Sequence, residues 1–105
     1  MYNNQKFIDM LLKCAVTCKF CANQCLNEHN IEMLKDCIRL NNNCSDICEA
    51  TANFLIRESQ SDNDLVKICE AICRQCSEEC SKHEHEHCKE CAKICKDCEE
   101  MCEAF

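Results

Sequence analysis

The run Cys88-Lys-Glu-Cys91-Ala-Lys-Ile-Cys95-Lys-Asp-Cys98-Glu-Glu-Met-Cys102 decides the fold. Its five cysteines advance by three, four, three and four residues, the step of one face of an α-helix, so every thiol points the same way. Leu or Ile would ordinarily fill such a stripe. Thiols pack there as small hydrophobes, but a row of them is also a row of soft metal ligands.

Working outward, the same step recurs three more times. Residues 4–27 carry Phe7, Leu11, Cys14, Cys18, Cys21 and Cys25; residues 31–57 carry Leu34, Cys37, Asn41, Cys44, Cys48, Thr51 and Leu55. Residues 63–82 carry Val66, Cys69, Cys73, Cys76 and Cys80, and the fourth segment spans 84–104. The repeat Cys-x3-Cys-x2-Cys-x3-Cys occurs at Cys14 to Cys25, Cys69 to Cys80 and Cys91 to Cys102, which suggests two related helical hairpins. All 16 cysteines fall on the four seams, and Asn41 occupies a seam position where a cysteine would be expected.

The breaks between the segments are polar. Asn3 or Asn4 is expected to cap the first helix and Asn30 the second, with Ser61 or Asp62 opening the third. Ser81-Lys-His-Glu84 matches a capping box for the fourth. Neither Gly nor Pro occurs anywhere in the 105 residues, which removes the usual makers of hairpins and helix-ending turns. The predicted fold is therefore all-α, a single domain 1–105 forming an antiparallel up-down-up-down four-helix bundle with a cysteine-lined core.

Antiparallel order gives the bundle two unlike ends. Phe7, Ile8, Leu11, Leu12, Phe54, Leu55, Leu65, Val66, Met101 and Phe105 gather at one, where they can plug it. His29, His83, His85, His87 and Met33 gather at the other, which reads as a ligand-bearing mouth. Phe20, Ile38, Ile47, Ile68, Ile72 and Ile94 flank the seams; most should widen the core and some could serve an oligomer contact.

Net charge is -7, with 30% charged residues interspersed in sign, so a basic nucleic-acid footprint is excluded. The polar start contains no apolar run of the secretory kind and no segment suited to a membrane span, which points to the cytoplasm. Cytosolic thiols are normally reduced, and metal binding then explains the cysteines better than disulfides.

Thiolate, thioether and imidazole together select Cu(I), with zinc and iron–sulfur clusters as competitors. Four Cys-x2-Cys pairs lie inside unbroken helices among seven Cys-x3-Cys pairs, unlike the turn-borne knuckles of zinc sites or the loops that wrap clusters. Sixteen buried thiolates would be untenable without counter-charge, so the metal-free thiols should be protonated and each Cu(I) should replace about one proton. Bridging thiolates would allow on the order of one copper per cysteine; unshared pairs would allow about half that.

Two phrases carry a family likeness: Cys37-Ile-Arg-Leu-Asn-Asn-Asn-Cys44-Ser-Asp-Ile-Cys48 and Cys80-Ser-Lys-His-Glu-His-Glu-His-Cys88-Lys-Glu-Cys91. With the four thiol seams, they resemble the bacterial copper storage proteins over nearly the whole chain. The resemblance implies a bundle holding many Cu(I) ions along its inside, often a homotetramer, with cytosolic and exported branches; the missing leader resembles the cytosolic one. It implies as ligands Cys14, Cys18, Cys21, Cys25, Cys37, Cys44, Cys48, Cys69, Cys73, Cys76, Cys80, Cys88, Cys91, Cys95, Cys98 and Cys102. It also makes Asn41 a weak oxygen ligand and His83 and His87 mouth ligands; His29 and Met33, which the spacing puts at the same end, are further candidates. The exported branch tends to a methionine-rich mouth, whereas this chain offers mainly Met33 and histidines.

Other readings stay open at this stage. The seams could belong to a zinc or general thiolate buffer, or to a disulfide-bonded helical module. Asn41 could fix helix register, and the histidines could simply be solvated. An enzyme is not expected: there is no Ser-His-Asp set, paired-carboxylate pocket or phosphate loop, and no thiol is singled out for redox chemistry. A copper chaperone is a possible donor or acceptor partner.

Overall fold

Without glycine or proline the chain has little means to build anything but helices, and the computed structural model, which describes residues 4–105, bears this out. Helices α1 (Gln5–Leu26), α2 (Lys35–Ile56), α3 (Asp62–Cys80) and α4 (Glu86–Ala104) account for its regular structure together with one 3-10 turn, Ile31–Leu34. They pack as a square bundle measuring 43 × 19 × 18 Å. Backbones of α1 and α3 each lie against α2 and α4, and the diagonal pairs meet only through side chains across the axis.

The seams face inward as their spacing requires. Every cysteine is buried, and fifteen are wholly inaccessible; Cys102, at 3%, is the least enclosed. Phe7, Ile8, Leu11, Leu55 and Val66 are buried at the end that carries the termini, and the Phe105 ring leans on Phe7 with centroids 5.5 Å apart. Leu12 departs from the expected plug. It falls one residue beyond the seam position of Leu11, so helical geometry turns it outward, 41% exposed. Of the flanking residues, Ile94 is buried, Ile38, Ile47 and Ile72 pack against the core, and Phe20 and Ile68 face outward.

Polar contacts brace the bundle outside the core. Arg74 on α3 donates through Nε to Glu99 on α4 at 2.8 Å and also holds Glu70 at 3.1 Å; the Ser77 hydroxyl donates to the Ala92 carbonyl at 2.9 Å. Lys19 on α1 pairs with Glu49 on α2. The Glu99 and Glu70 carboxylates hold the Arg74 guanidinium above its usual pKa.

Helix ends depart from expectation in instructive ways. Asn4 does stand at the start of α1, but in the left-handed region (φ 60°) and without a side-chain cap; Asn3 lies outside the described residues. Ser61 precedes α3 and Asn30 precedes the 3-10 turn, again without side-chain caps, and Asp62 is already helical. Residues 31–34 were expected to open α2 but wind more tightly, so that helix starts at Lys35. The expected Ser81 capping box is absent. The Ser81 N–H still bonds the Ser77 carbonyl and its hydroxyl the Glu78 carbonyl at 2.7 Å, so Ser81 closes α3. The chain then runs irregularly to Glu86, with extended His85 as the residue before α4.

The end of α2 shows the cost of having no glycine. Glu58 adopts φ 55° after the helix; its N–H bonds the Leu55 carbonyl at 3.1 Å and the Ser59 N–H bonds the Phe54 carbonyl at 3.1 Å, the paired bonds of a Schellman end. A side chain in this conformation costs about 1 kcal/mol relative to glycine. Glu58→Gly is therefore expected to raise the denaturant midpoint by an equivalent of up to about 1 kcal/mol without changing helix content, as measured by chemical denaturation followed by circular dichroism.

Candidate metal centre

The 3-4 step brings the four seams together around one sulfur-lined axis. At the α1–α4 side of the mouth, Cys21, Cys25 and Cys88 stand 3.9–4.0 Å apart, and Cys37 and Cys80 face each other from α2 and α3 at 3.1 Å. Deeper, Cys18 lies 3.8 Å from Cys91 and 3.5 Å from Cys95. Cys14 follows at 3.8 Å from both Cys44 and Cys95, and Cys73 lies 3.6 Å from Cys44. Cys48 continues to Cys69 at 3.7 Å and Cys73 at 3.8 Å, and Cys98 joins these three. The buried Thr51 hydroxyl turns back onto the Ile47 carbonyl at 2.7 Å below this group.

These separations suit a metal. A metal–thiolate bond of roughly 2.3 Å, the length typical of zinc, sets the sulfurs of a trigonal site about 4 Å apart. Several four-thiol groups, among them Cys14, Cys44, Cys48 and Cys73, have all their sulfurs within 4.8 Å of one another. All 16 cysteines are free thiols.

Asn41 sits inside the column, fully buried. Its Oδ1 accepts from Cys91 at 3.0 Å, Cys76 at 3.2 Å and Cys80 at 3.5 Å, and its Nδ2 donates to Cys37 at 3.6 Å. One side chain thus joins thiols of α2, α3 and α4. That satisfies a buried amide that would otherwise be costly, and it places an oxygen where the seam would have put a sulfur.

The histidines separate. His87 Nδ1 lies 3.4 Å from Cys21, 3.6 Å from Cys88 and 3.9 Å from Cys25, while its Nε2 donates to the Glu28 carboxylate at 2.7 Å. His83 is held by Glu79 at 2.9 Å. His85 stacks on His87, its ring nitrogens 3.3 Å from Glu28 and 3.1 Å from the Asn30 carbonyl oxygen. His29 is exposed, and Met33 is 71% exposed on the 3-10 turn. The structure thus gathers His87 with three thiols and leaves His29 and Met33 on the outer rim.

Two carboxylates that the sequence reading passed over complete the mouth. Glu28 follows Cys25 by three residues, the next step of the α1 seam, and Glu79 precedes His83 by four on α3. The seam step marks Glu28 as inward-facing without naming its partner; Glu79 lies off the α3 seam, and only its four-residue spacing from His83 hints at a role. Hydrogen bonding to His87 holds Glu28 below the usual carboxylate range. Burial raises Glu79, but its bonds to His83 and Lys82 outweigh that and lower it. Burial disfavours the His87 imidazolium, yet contact with Cys21 and Glu28 leaves its pKa raised.

Mouth and interior thiols differ in acidity. Hydrogen bonds from Cys37 and Cys80 lower Cys21 to about 6 against the opposing effects of Cys91 and burial. Burial and the neighbouring Cys21 charge push Cys25 up to about 11. In the interior, hydrogen bonds shared between neighbouring thiols split them, pushing Cys48, Cys73 and Cys95 well above the ordinary thiol range and holding Cys14, Cys44, Cys69 and Cys91 well below it.

Known proteins share this arrangement. The chain superposes on the Cu(I)-bound copper storage protein BsCsp3 with a TM-score of 0.92 at 35% identity, covering 95% of this chain and 94% of that one. A cytosolic copper storage protein from Streptomyces lividans, solved during copper loading with five coppers, gives 0.90 at 36% identity over 93% of this chain and 87% of that one. A cysteine-rich protein of Bacillus subtilis, YhjQ, is 36% identical over 82 residues, 78% of this chain and 76% of its own. The family model described as copper storage protein matches residues 1–105. The chain belongs to the copper storage protein family.

Proposed function

We propose that this chain stores many Cu(I) ions on its 16 core cysteines and admits them at the end bearing His87. The observation that carries the reading is the set of 16 buried free thiols on four facing seams, most of them within 4.0 Å of another sulfur, with an imidazole seated at one end. No interior carboxylate or ammonium breaks the column, so the cargo itself supplies the compensating charge. Each Cu(I) bound displaces about one proton. Zinc would be poorly served by so long a shared row, and disulfides would remove the ligands that the family uses for copper.

Cys21, an acidified thiol, lies at the mouth where an ion arrives. A surface groove of 410 Å³ lined by Phe20, Gln24, Glu86, His87 and Glu90 leads to the imidazole. From there Cys21, Cys25 and Cys88 offer three sulfurs, and Cys18 and Cys91 continue inward. Asn41 serves as a weak oxygen ligand and proton acceptor beside Cys76 and Cys91. His83, tied to Glu79, guards the α3 side.

The assembly is a homotetramer in the cytoplasm, exchanging copper with a chaperone. The absence of any described helix long and apolar enough to cross a membrane is compatible with this location. Leu12, Val16 and Phe20, exposed at steps of four along α1, provide an apolar row for contact between copies.

Anaerobic titration of the reduced protein with Cu(I) against a competing chelator is expected to give uptake on the order of one copper per cysteine. Tight binding of only two or three ions would overturn the storage reading. Replacing His83 and His87 together by alanine should slow loading several-fold yet leave capacity within about a tenth of the original, since capacity resides in sulfur; a large fall in capacity would show that the histidines are core ligands instead.

Acidity gives a further test. Because the Cys21 pKa is lowered to about 6, this thiol is ionised above that pH and protonated below it. Thiolate ultraviolet absorbance of the reduced metal-free protein should include an ionisation near pH 6 that is lost in Cys21→Ser. Initial copper capture should weaken as pH falls through the same range.

A further inference from the structure

We infer that Glu28 is the positioning residue of the mouth: it fixes the His87 tautomer so that the Nδ1 lone pair, rather than an N–H, faces Cys21, Cys25 and Cys88. The inference rests on the reading of His87 as the residue that receives Cu(I).

For the neutral ring, the form that can ligate a metal, the geometry leaves one assignment. A carboxylate oxygen can only accept a hydrogen bond, so the 2.7 Å contact between Glu28 Oε2 and His87 Nε2 requires the hydrogen on Nε2. In a neutral imidazole the other nitrogen then carries the free pair. That nitrogen lies 3.4, 3.6 and 3.9 Å from the three mouth sulfurs. The opposite tautomer would point a proton at the same pocket and deny the ion its nitrogen.

The support around this contact comes from two separate parts of the chain. Glu28 belongs to the turn at residues 27–30, whereas His87 lies in the first turn of α4. His85 is stacked on His87, with ring planes 4° apart, and lies 3.3 Å through Nδ1 from the same Glu28 oxygen. Its Nε2 is 3.1 Å from Asn30 Oδ1, so the turn grips both rings. Metal-binding histidines commonly depend on such a partner at their second nitrogen, and losing it typically costs 10–100-fold in affinity or activity.

The test uses the full-length reduced protein with 15N-labelled histidine. In the metal-free wild type, NMR should show a protonated Nε2 and a bare Nδ1 at His87; in Glu28→Ala it should show a mixture of tautomers. Copper loading at limiting Cu(I) should be about tenfold slower in Glu28→Ala, with the same final copper content. Glu28→Gln should restore most of the rate, because its amide oxygen still accepts the Nε2–H. In a His87→Ala background, adding Glu28→Ala should change nothing further. An unchanged His87 tautomer in Glu28→Ala, or an equal slowing in the His87→Ala background, would overturn the assignment. If His87→Ala itself loads at the wild-type rate, the histidine mouth falls and this inference with it; slow His87→Ala beside wild-type Glu28→Ala removes this inference alone.

Discussion

The structure depends on burying sixteen thiols that have essentially only one another for company. A thiol is small, weakly polar and able both to donate and to accept, which makes it the one metal-binding side chain that can line a whole bundle without metal. Carboxylates or imidazoles at the same density would require charges or waters inside. Here the neutral row packs as a core, and the same row becomes a set of anionic ligands once a cation takes the protons' place.

That constraint explains the division of labour along the axis. Cysteine buries less apolar surface than leucine, so a column of thiols alone would make a thin hydrophobic core. Phe7, Ile8, Leu11, Leu55 and Val66 concentrate ordinary packing at one end. Elsewhere the helices are braced from outside, by Arg74 with Glu99 and Glu70, by Ser77 on the Ala92 carbonyl and by Lys19 with Glu49. Strength is moved outward because the centre is reserved for ligands.

Much of this was legible in the sequence. The alternating three- and four-residue steps fixed each cysteine's face, and the absence of glycine and proline left no rival to helices. Asn41 could be singled out because it interrupts a period, and His87 because it continues one. What the sequence hid was local and competitive. Ser81 looked like the start of α4, but its N–H was still worth more to the α3 ladder, and the chain needed residues 82–85 to reach across the mouth. Asn30 looked like a helix cap but spends its carbonyl on His85. Glu28 looked like a solvated turn residue, because its partner lies fifty-nine positions away. Helical rhythm predicts which residues share a face; it does not say which side chain from another element will claim them.

The spacing of the sulfurs has one more consequence. Each ion that settles in the interior sets a proton free where water does not reach. Most column thiols have another within about 4 Å, and Asn41 bridges Cys37, Cys76, Cys80 and Cys91 near the mouth. A row of groups that can each donate and accept conducts hydrogen ions by handing them along, with only small rotations about the Cβ–Sγ bonds. On the proposed entry route, copper moving inward and protons moving outward would share one path in opposite directions. The storage column doubles as its own drain.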